Sequence, residues 1–161
     1  MAGTIEETII TSTIDNLFAL AEKGIKYIVN LKHEARKKLK AVYLEVNANK
    51  TLLEKTAGRN GEGVRHGTKE FSRFAKELTT TETAPLFKEN KTIRRSRIVK
   101  GGSKREKINR IQYALNYTVR QIGELKALAK QKTVTGLRLS VRLRTLAKHL
   151  AELEKVLCLV K

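Results

Sequence analysis

The residues whose types and spacing could do chemistry in this chain are mostly cations, and their densest run lies between residues 88 and 102. That segment reads KENKTIRRSRIVKGG, lacks helical periodicity and sets one acid, Glu89, against six Lys and Arg side chains. Cations on an exposed, flexible segment can follow a row of phosphates and release their counterions. The pattern therefore predicts a flexible phosphate-binding loop. Its predicted contacts, including two cations just beyond it, are Arg94, Arg95, Arg97, Lys100, Lys104 and Arg105.

Further cations form stripes of one sign on two predicted helices. Near the C-terminus two neighbouring stripes contain no acid before Glu152, and a third stripe near the N-terminus contains only Lys and His side chains. Such stripes favour an extended positive face that binds a polyanion. The alternative is a set of separate solvated faces that point in different directions. The stripes consist of Arg138, Arg142, Thr145 and His149, of Arg144 with Lys148, and of Lys26, His33, Lys37 and Lys40. The predicted phosphate contacts among them are Arg138, Arg142, Arg144, Lys148, Lys37 and Lys40.

A second kind of chemistry is suggested by arginine and histidine in the C-terminal segment. Four residues separate Arg144 from His149, and six separate Arg142 from His149, which places the latter pair on one helix face. This spacing resembles the R-x4-6-H element of HEPN ribonucleases, which are helical bundles. The resemblance implies that Arg and His side chains of two subunits form a composite RNA-cleaving site. It covers one motif in one helix, and Thr145 stands where that family has a strongly polar residue.

Other catalytic and binding motifs are not recognisable. Residues 63–69, GVRHGTK, resemble a phosphate-cradling loop only superficially, because the Walker pattern requires Gly-Lys-Ser/Thr after a strand. No paired carboxylates, Ser/His/Asp set or metal-ligand cluster stands out. The chain has no Trp, and Tyr113 and Tyr117 flank the seam of a predicted helix, which favours core packing over base stacking. We therefore predict no catalysis, no cofactor and no metal site.

The composition indicates a polyanionic partner. The chain has 34 Lys and Arg against 16 Asp and Glu, a net charge of +18. Self-repulsion of this size destabilises a compact fold unless a partner neutralises it. Nucleic acid is the first candidate, and an anionic membrane surface or an acidic protein is the next.

The single cysteine and the N-terminus bear on the compartment. Cys158 excludes an internal disulfide, and its position beside an apolar seam predicts a small buried side chain in a reducing compartment. The N-terminus lacks the basic and apolar regions of a signal peptide, and no run of about 18 apolar residues exists. We expect a cytoplasmic protein without membrane insertion.

The fold class follows from apolar periodicity. The last segment repeats apolar residues at alternating spacings of four and three, which is typical of a helix that packs on other helices. An earlier long helix is predicted after the capping-box pair Ser103 and Glu106, and a first one ends near Ala57 at a glycine-rich stretch. A short turn over 130–135 predicts an antiparallel hairpin of the last two helices. The seam of the last helix consists of Leu139, Leu143, Leu146, Leu150, Leu153, Leu157 and Val160.

We accordingly predict one all-α domain over residues 1–161. It is an antiparallel helical bundle with a long first helix, a glycine-rich connector at 57–67, an irregular basic middle region and a C-terminal helical hairpin. Gly24 leaves two alternatives for the first helix, continuous or broken there, and its place on the seam favours continuity. Between the long helices, a shorter amphipathic segment presents Phe71, Phe74, Ala75 and Leu78 on one face.

The predicted function is binding of nucleic acid, RNA or duplex, through phosphate contacts and without catalysis. The first alternative is an oligomerising adaptor or assembly subunit of a larger nucleoprotein or protein complex. It follows from Val42, Val46 and Leu53, which on a first helix longer than its neighbours would lack a cover within the chain. The second alternative is a HEPN-like ribonuclease that uses Arg142 or Arg144 with His149.

Overall fold

Residues 33–87, 104–132 and 138–158 are described by the computed structural model, with side chains from residue 37 in the first range and from residue 112 in the second. Within these ranges the chain forms four α-helices and one 3-10 helix, with no strand. This confirms the predicted all-α class. The helices are α1 (His33–Ala57), α2 (Lys69–Glu77), α3 (Lys104–Ala129) and α4 (Leu139–Leu157), and the 3-10 helix is Ala84–Leu86.

The last helix, α4, is organised as its periodicity predicts. All six leucines of its seam within the described residues are buried, and α4 packs against both α1 and α3. An α-helix turns by about 100° per residue, so leucines spaced four and three apart form one narrow stripe. That stripe fills the groove between the two longer helices.

Both contacts of α4 are antiparallel. Lys50 of α1 pairs with Glu154, whereas Gly61, just after α1, lies against the backbone of Ser140. On the other side, Tyr113 of α3 contacts His149, and Glu124 pairs with Arg142. In each case numbers rise along one helix as they fall along the other. The predicted C-terminal hairpin is therefore confirmed, with α3 ending at Ala129.

The fourth side of the bundle is closed by α2 and the segment after it. Helix α2 packs on α3 and on α1, while the described parts of α1 and α3 make no extensive contact with each other. Going around the bundle, the order is therefore α1, α4, α3, α2, and α2 lies diagonally opposite α4. The predicted amphipathic face is confirmed, because Phe71, Phe74, Ala75 and Leu78 are all buried.

The seam of α1 is covered within the chain. Val42, Val46 and Leu53 are 3%, 0% and 1% exposed. The expectation that these side chains lack an intramolecular cover is therefore wrong. The expectation considered only the long helices. The short segment from Phe71 to Leu86 adds a further apolar face to the same core.

That covering segment is held by buried polar side chains of α1. One carboxylate oxygen of Glu45 accepts hydrogen bonds from the backbone N–H groups of Glu82 (3.0 Å) and Thr83 (2.8 Å). Asn49 makes two hydrogen bonds with the backbone of Thr79, donating to its carbonyl (2.7 Å) and accepting from its N–H (3.1 Å). Gln112 of α3 donates to the Leu86 carbonyl (3.0 Å). These side chains satisfy backbone groups of Thr79, Glu82, Thr83 and Leu86, which buried backbone requires.

Helix α1 ends where the glycines predict. Gly58 has a positive φ of 70° and donates its N–H to the Glu54 carbonyl, an arrangement that terminates a helix.

Cys158 is exposed, so the prediction that it is buried is wrong. It follows the seam residue Leu157 by one position, and one step of about 100° turns it away from the core.

Several predictions fall outside the described residues. They are the upstream part of the first helix with Gly24, and the basic loop at 88–102. Among the described helices, none combines the length and apolar character needed to cross a bilayer.

Candidate nucleic-acid interface

The predicted contact residues are divided by the structure into three groups. Arg94, Arg95, Arg97 and Lys100 lie outside the described residues, and Lys104 and Arg105 belong to α3 with side chains that are not described. Lys37, Lys40, Arg138, Arg144 and Lys148 are exposed. Arg142 is engaged inside the molecule.

Two flanks and one ridge can be distinguished on α4. The flank that holds Arg142, Thr145 and His149 faces α3, as the contacts of Arg142 with Glu124 and of His149 with Tyr117 show. The opposite flank faces α1 through Glu154. Between these flanks, opposite the leucine seam, the outer ridge presents exposed cations. They are Arg144, Lys148 and Lys155.

The flank toward α3 forms a half-buried cluster of polar and aromatic groups. Arg142 donates from Nη1 to Oε2 of Glu124 across 2.6 Å. The ring of His149 lies 4.4 Å from that of Tyr117 and 5.7 Å from that of Tyr113, measured between centroids. Burial raises the pKa of the Tyr117 phenol above its ordinary value of 10.0, and nearby Tyr113 adds to the rise. Arg142 and His149 thus share a flank, as predicted, whereas Arg144 belongs to the outer ridge.

The outer surface of α1 carries only positive charge over four turns. Between residues 37 and 53 the single acid is Glu45, and its carboxylate is buried against the turn at Thr83. The solvent-facing side of this stretch holds Lys37 and Lys40, and the small residues Ala48 and Thr51 are exposed beyond them. Lys55 and Arg59 follow, both exposed, at the C-terminal end of the helix.

The register of α1 against α4 brings the C-terminal part of α1 beside the outer ridge of α4, whereas Lys37 and Lys40 lie farther along α1 than the described part of α4 reaches. Lys50 lies opposite Glu154, and Gly61 lies against Ser140 and the backbone nitrogen of Arg144. Lys55 and Arg59 therefore lie at the end of the bundle where Arg144 begins the ridge of α4. We call the combined surface the α1/α4 face. It consists of Lys37, Lys40, Lys55, Arg59, Arg144, Lys148 and Lys155.

The charges of the α1/α4 face are not neutralised within the described part of the chain. None of its seven cations has a carboxylate partner within 4.0 Å there, since the ion pairs found involve Lys50, Arg73 and Arg142. Of the nearby acids, Glu54 and Glu62 are exposed and Glu152 is partly exposed, whereas Glu154 is engaged inside the bundle. Glu154 is bound to Lys50, whose pKa rises above 10.5 mainly because of that hydrogen bond.

Sequence reasoning named four of these seven cations and missed Lys55, Arg59 and Lys155. Lys155 lies 11 positions after Arg144, three helical turns along the same ridge, so continued periodicity could have found it. Arg59 lies in the connector beyond α1, and its proximity to α4 depends on the turn at Gly61.

Two polar side chains of residues 63–69 make contacts within the fold. The Thr68 hydroxyl accepts a hydrogen bond from the N–H of Phe71 and so caps α2. Nε2 of His66 lies 2.9 Å from the carbonyl oxygen of Leu128. These contacts give both polar side chains a structural role. In the described residues, no group of three or more His, Cys, Asp or Glu side chains could hold a metal ion.

Comparisons with family models, with curated proteins and with solved structures returned no match for this chain.

Proposed function

We propose that this protein binds nucleic acid, structured RNA or duplex, by contacting phosphates with the α1/α4 face. One observation carries the proposal: six exposed cations on the adjacent helices α1 and α4, and Arg59 just beyond α1, lack a carboxylate partner within 4.0 Å among the described residues, although Glu54 and Glu62 are exposed near them. An uncompensated surface of this kind is the electrostatic footprint of a polyanion-binding protein.

The geometry of the α1/α4 face favours phosphate contact over base recognition. Its cations project from the outer sides of two helices, and the exposed residues between them include the small Ala48, Thr51 and Ala151 as well as Leu44, which is 55% exposed. Such a surface admits the backbone of a double helix without inserting side chains between bases. The tyrosines that could stack on bases, Tyr113 and Tyr117, pack against His149 instead.

Fluorescence anisotropy with labelled RNA and duplex DNA tests the proposal. Proteins that make 6–10 phosphate contacts lose about 10³ to 10⁵ in affinity between 50 and 200 mM salt, and we expect a loss in this range. A raised 260/280 absorbance ratio before the assay would reveal carried-over nucleic acid, because the chain has no Trp and four Tyr. Absence of binding to either ligand at low salt would overturn the proposal.

A pair of matched variants separates local contact from overall charge. Charge reversal of Arg144, Lys148 and Lys155 to Glu should abolish most of the binding. The control reverses Arg120, Lys130 and Lys132, which are also exposed but lie on and beyond α3. Because both variants change the net charge equally, equal losses of affinity would show that the α1/α4 face is not the binding surface.

The two alternatives remain proposals with their own tests. The adaptor hypothesis no longer has the uncovered seam as its basis, and Val42→Asp would unfold the core instead of blocking a partner. It now predicts a complex that survives reversal of the α1/α4 face. The ribonuclease hypothesis rests on Arg142 and His149, and it predicts cleavage of RNA by the purified protein and its loss in His149→Ala.

A further inference from the structure

A second cationic surface lies on α2. Phe71, Phe74 and Ala75 form the buried face of this helix, and the residues on the opposite side are exposed. Three of those exposed residues are cations that share one ridge. We call Lys69, Arg73 and Lys76 the α2 ridge. A shallow open groove runs along it, lined also by Gly67, Thr68, Ser72 and the acid Glu77.

The acids near the α2 ridge reduce its charge only in part. Glu70 and Glu77 lie together on one flank of α2, and Arg73 donates to Glu77 across 3.2 Å. The side chains of that pair are 84% and 50% exposed, so the pair is weak in water and can exchange for a phosphate contact. Lys69 and Lys76 have no carboxylate partner within 4.0 Å among the described residues.

The position of α2 in the bundle sets the direction of this ridge. Since α2 and α4 are diagonally opposite, the α2 ridge and the ridge of α4 point away from each other. Neighbouring helix axes lie about 8–10 Å apart, which places the diagonal axes about 13 Å apart and the two ridges about 25 Å apart.

We propose that the α2 ridge is a second phosphate-binding surface, so that one chain bridges two nucleic-acid duplexes. The inference rests on the proposed function of the α1/α4 face and adds a second, opposed contact to it. A duplex of about 20 base pairs is much shorter than the persistence length of about 150 base pairs, so it is too stiff to bend around the bundle from one ridge to the other. Two duplexes therefore occupy the two surfaces.

A capture experiment tests bridging directly. The full chain is bound to a biotinylated duplex of about 20 base pairs on beads at low salt, unbound protein is washed away, and a fluorescent duplex of the same length is added. We expect the fluorescent duplex to be retained by wild-type protein. The variant K69E/R73E/K76E should bind the first duplex with affinity close to wild type and retain about tenfold less of the second, because three phosphate contacts are lost.

The outcomes separate the two proposals. If wild-type protein does not bind the first duplex, bridging of duplexes fails, and the proposed function fails with it only if the anisotropy assay also shows no binding of RNA. If it binds the first duplex but retains no second one, only bridging is overturned. Retention of the second duplex by K69E/R73E/K76E at wild-type level also overturns bridging by the α2 ridge, and would assign the second contact to another copy of the chain. Circular dichroism and the urea midpoint verify that this variant is folded, as expected for exposed positions.

Discussion

Arg142 on α4 and Glu124 on α3 form an ion pair with 2.6 Å between Nη1 and Oε2. This pair shows how α4 is rotated in the bundle: the flank with Arg142 faces α3, and the ridge with Lys148 faces solvent. Two cations that the sequence places on neighbouring stripes thus have different surroundings. Arg142 is compensated inside the molecule, whereas Lys148 is available to a ligand.

The first prediction compares these two residues. Lys148→Gln should remove one phosphate contact and reduce the slope of log K against log salt by about one. Arg142→Gln should leave that slope unchanged and cost at most about 1 kcal/mol of unfolding free energy, because the pair it breaks is half exposed. Anisotropy titrations over a salt series measure both. Equal reductions of the slope would contradict the assignment of Arg142 to the fold.

The second prediction concerns the basic segment that the sequence singles out. Substitution of Arg94, Arg95 and Arg97 by Gln should lower the salt slope by about three if each arginine contacts one phosphate. The matched control replaces the same three residues by Lys, which keeps the charges and should keep most of the slope. A triple Gln variant that binds like wild type would exclude this segment from the interface.

Buried apolar side chains of this fold could be predicted from the sequence, whereas its buried polar side chains could not. Buried apolar stripes are visible in the sequence, because inward positions over several turns are mostly apolar, and the six leucines of the α4 seam from Leu139 to Leu157 were therefore predicted; Val160, the last predicted residue of this seam, lies outside the described residues. Glu45 and Asn49 were missed, since a carboxylate or an amide in a helix normally faces water. Their burial depends on backbone N–H and carbonyl groups of the turn at Thr79 to Thr83, and no periodicity encodes such a partner.

For the candidate interface, the sequence predicts which cations are neighbours on a helix but not which way each helix faces. Helical spacing establishes that Arg144 and Lys148 are neighbours, but it does not say which flank of α4 meets α3. That depends on the ring contact of His149 with Tyr117 and on the packing of Gly61, both of which join distant parts of the chain. The side of the bundle on which α2 lies is likewise a tertiary property, so the opposed α2 ridge could not be read from spacing.

The third prediction concerns close packing at Gly61. A Cβ added there would lie 2.6 Å from the carbonyl oxygen of Ser140, and the positive φ of 70° adds strain. Gly61→Ala should therefore destabilise by the strain of about 1–2 kcal/mol and by a steric term of about 1–3 kcal/mol. Gly58→Ala is the control, because Gly58 has the same φ and nothing within 4 Å of its Cβ position. Urea denaturation measures both, and equal losses would contradict the steric contribution.

The fourth prediction concerns the buried carboxylate of Glu45. Glu45→Ala removes the acceptor of the buried N–H of Thr83 and should cost about 1–3 kcal/mol. Glu45→Gln retains an acceptor oxygen of similar geometry and should cost less. Urea denaturation at neutral pH measures the difference. If Gln destabilised as much as Ala, the charge of Glu45 rather than its hydrogen bonds would hold the turn.

The fifth prediction concerns the alkaline limit of stability. The hydrogen bond to Glu154 raises the pKa of Lys50 above its usual value of 10.5, and burial opposes the rise. A cation whose pKa is higher in the folded state contributes stability that is fully present below the unfolded pKa and is lost as pH rises through the folded pKa. The contribution of Lys50 to the free energy of unfolding should therefore fall above about pH 10.5.

Two variants divide this alkaline loss between its sources. Lys50→Met should have a lower free energy of unfolding than wild type at neutral pH. It should lose less of that free energy on going to about pH 11, because the contribution of the Lys50–Glu154 hydrogen bond is already absent. Burial raises the pKa of the Tyr117 phenol above 10.0, so the folded state favours the neutral form of this side chain. The unfolded chain loses the phenol proton at lower pH, and the free energy of unfolding therefore also falls as pH rises past 10.0. Tyr117→Phe measures that second share. Parallel curves of unfolding free energy against pH for wild type and Lys50→Met would show that the hydrogen bond to Glu154 does not hold the Lys50 proton.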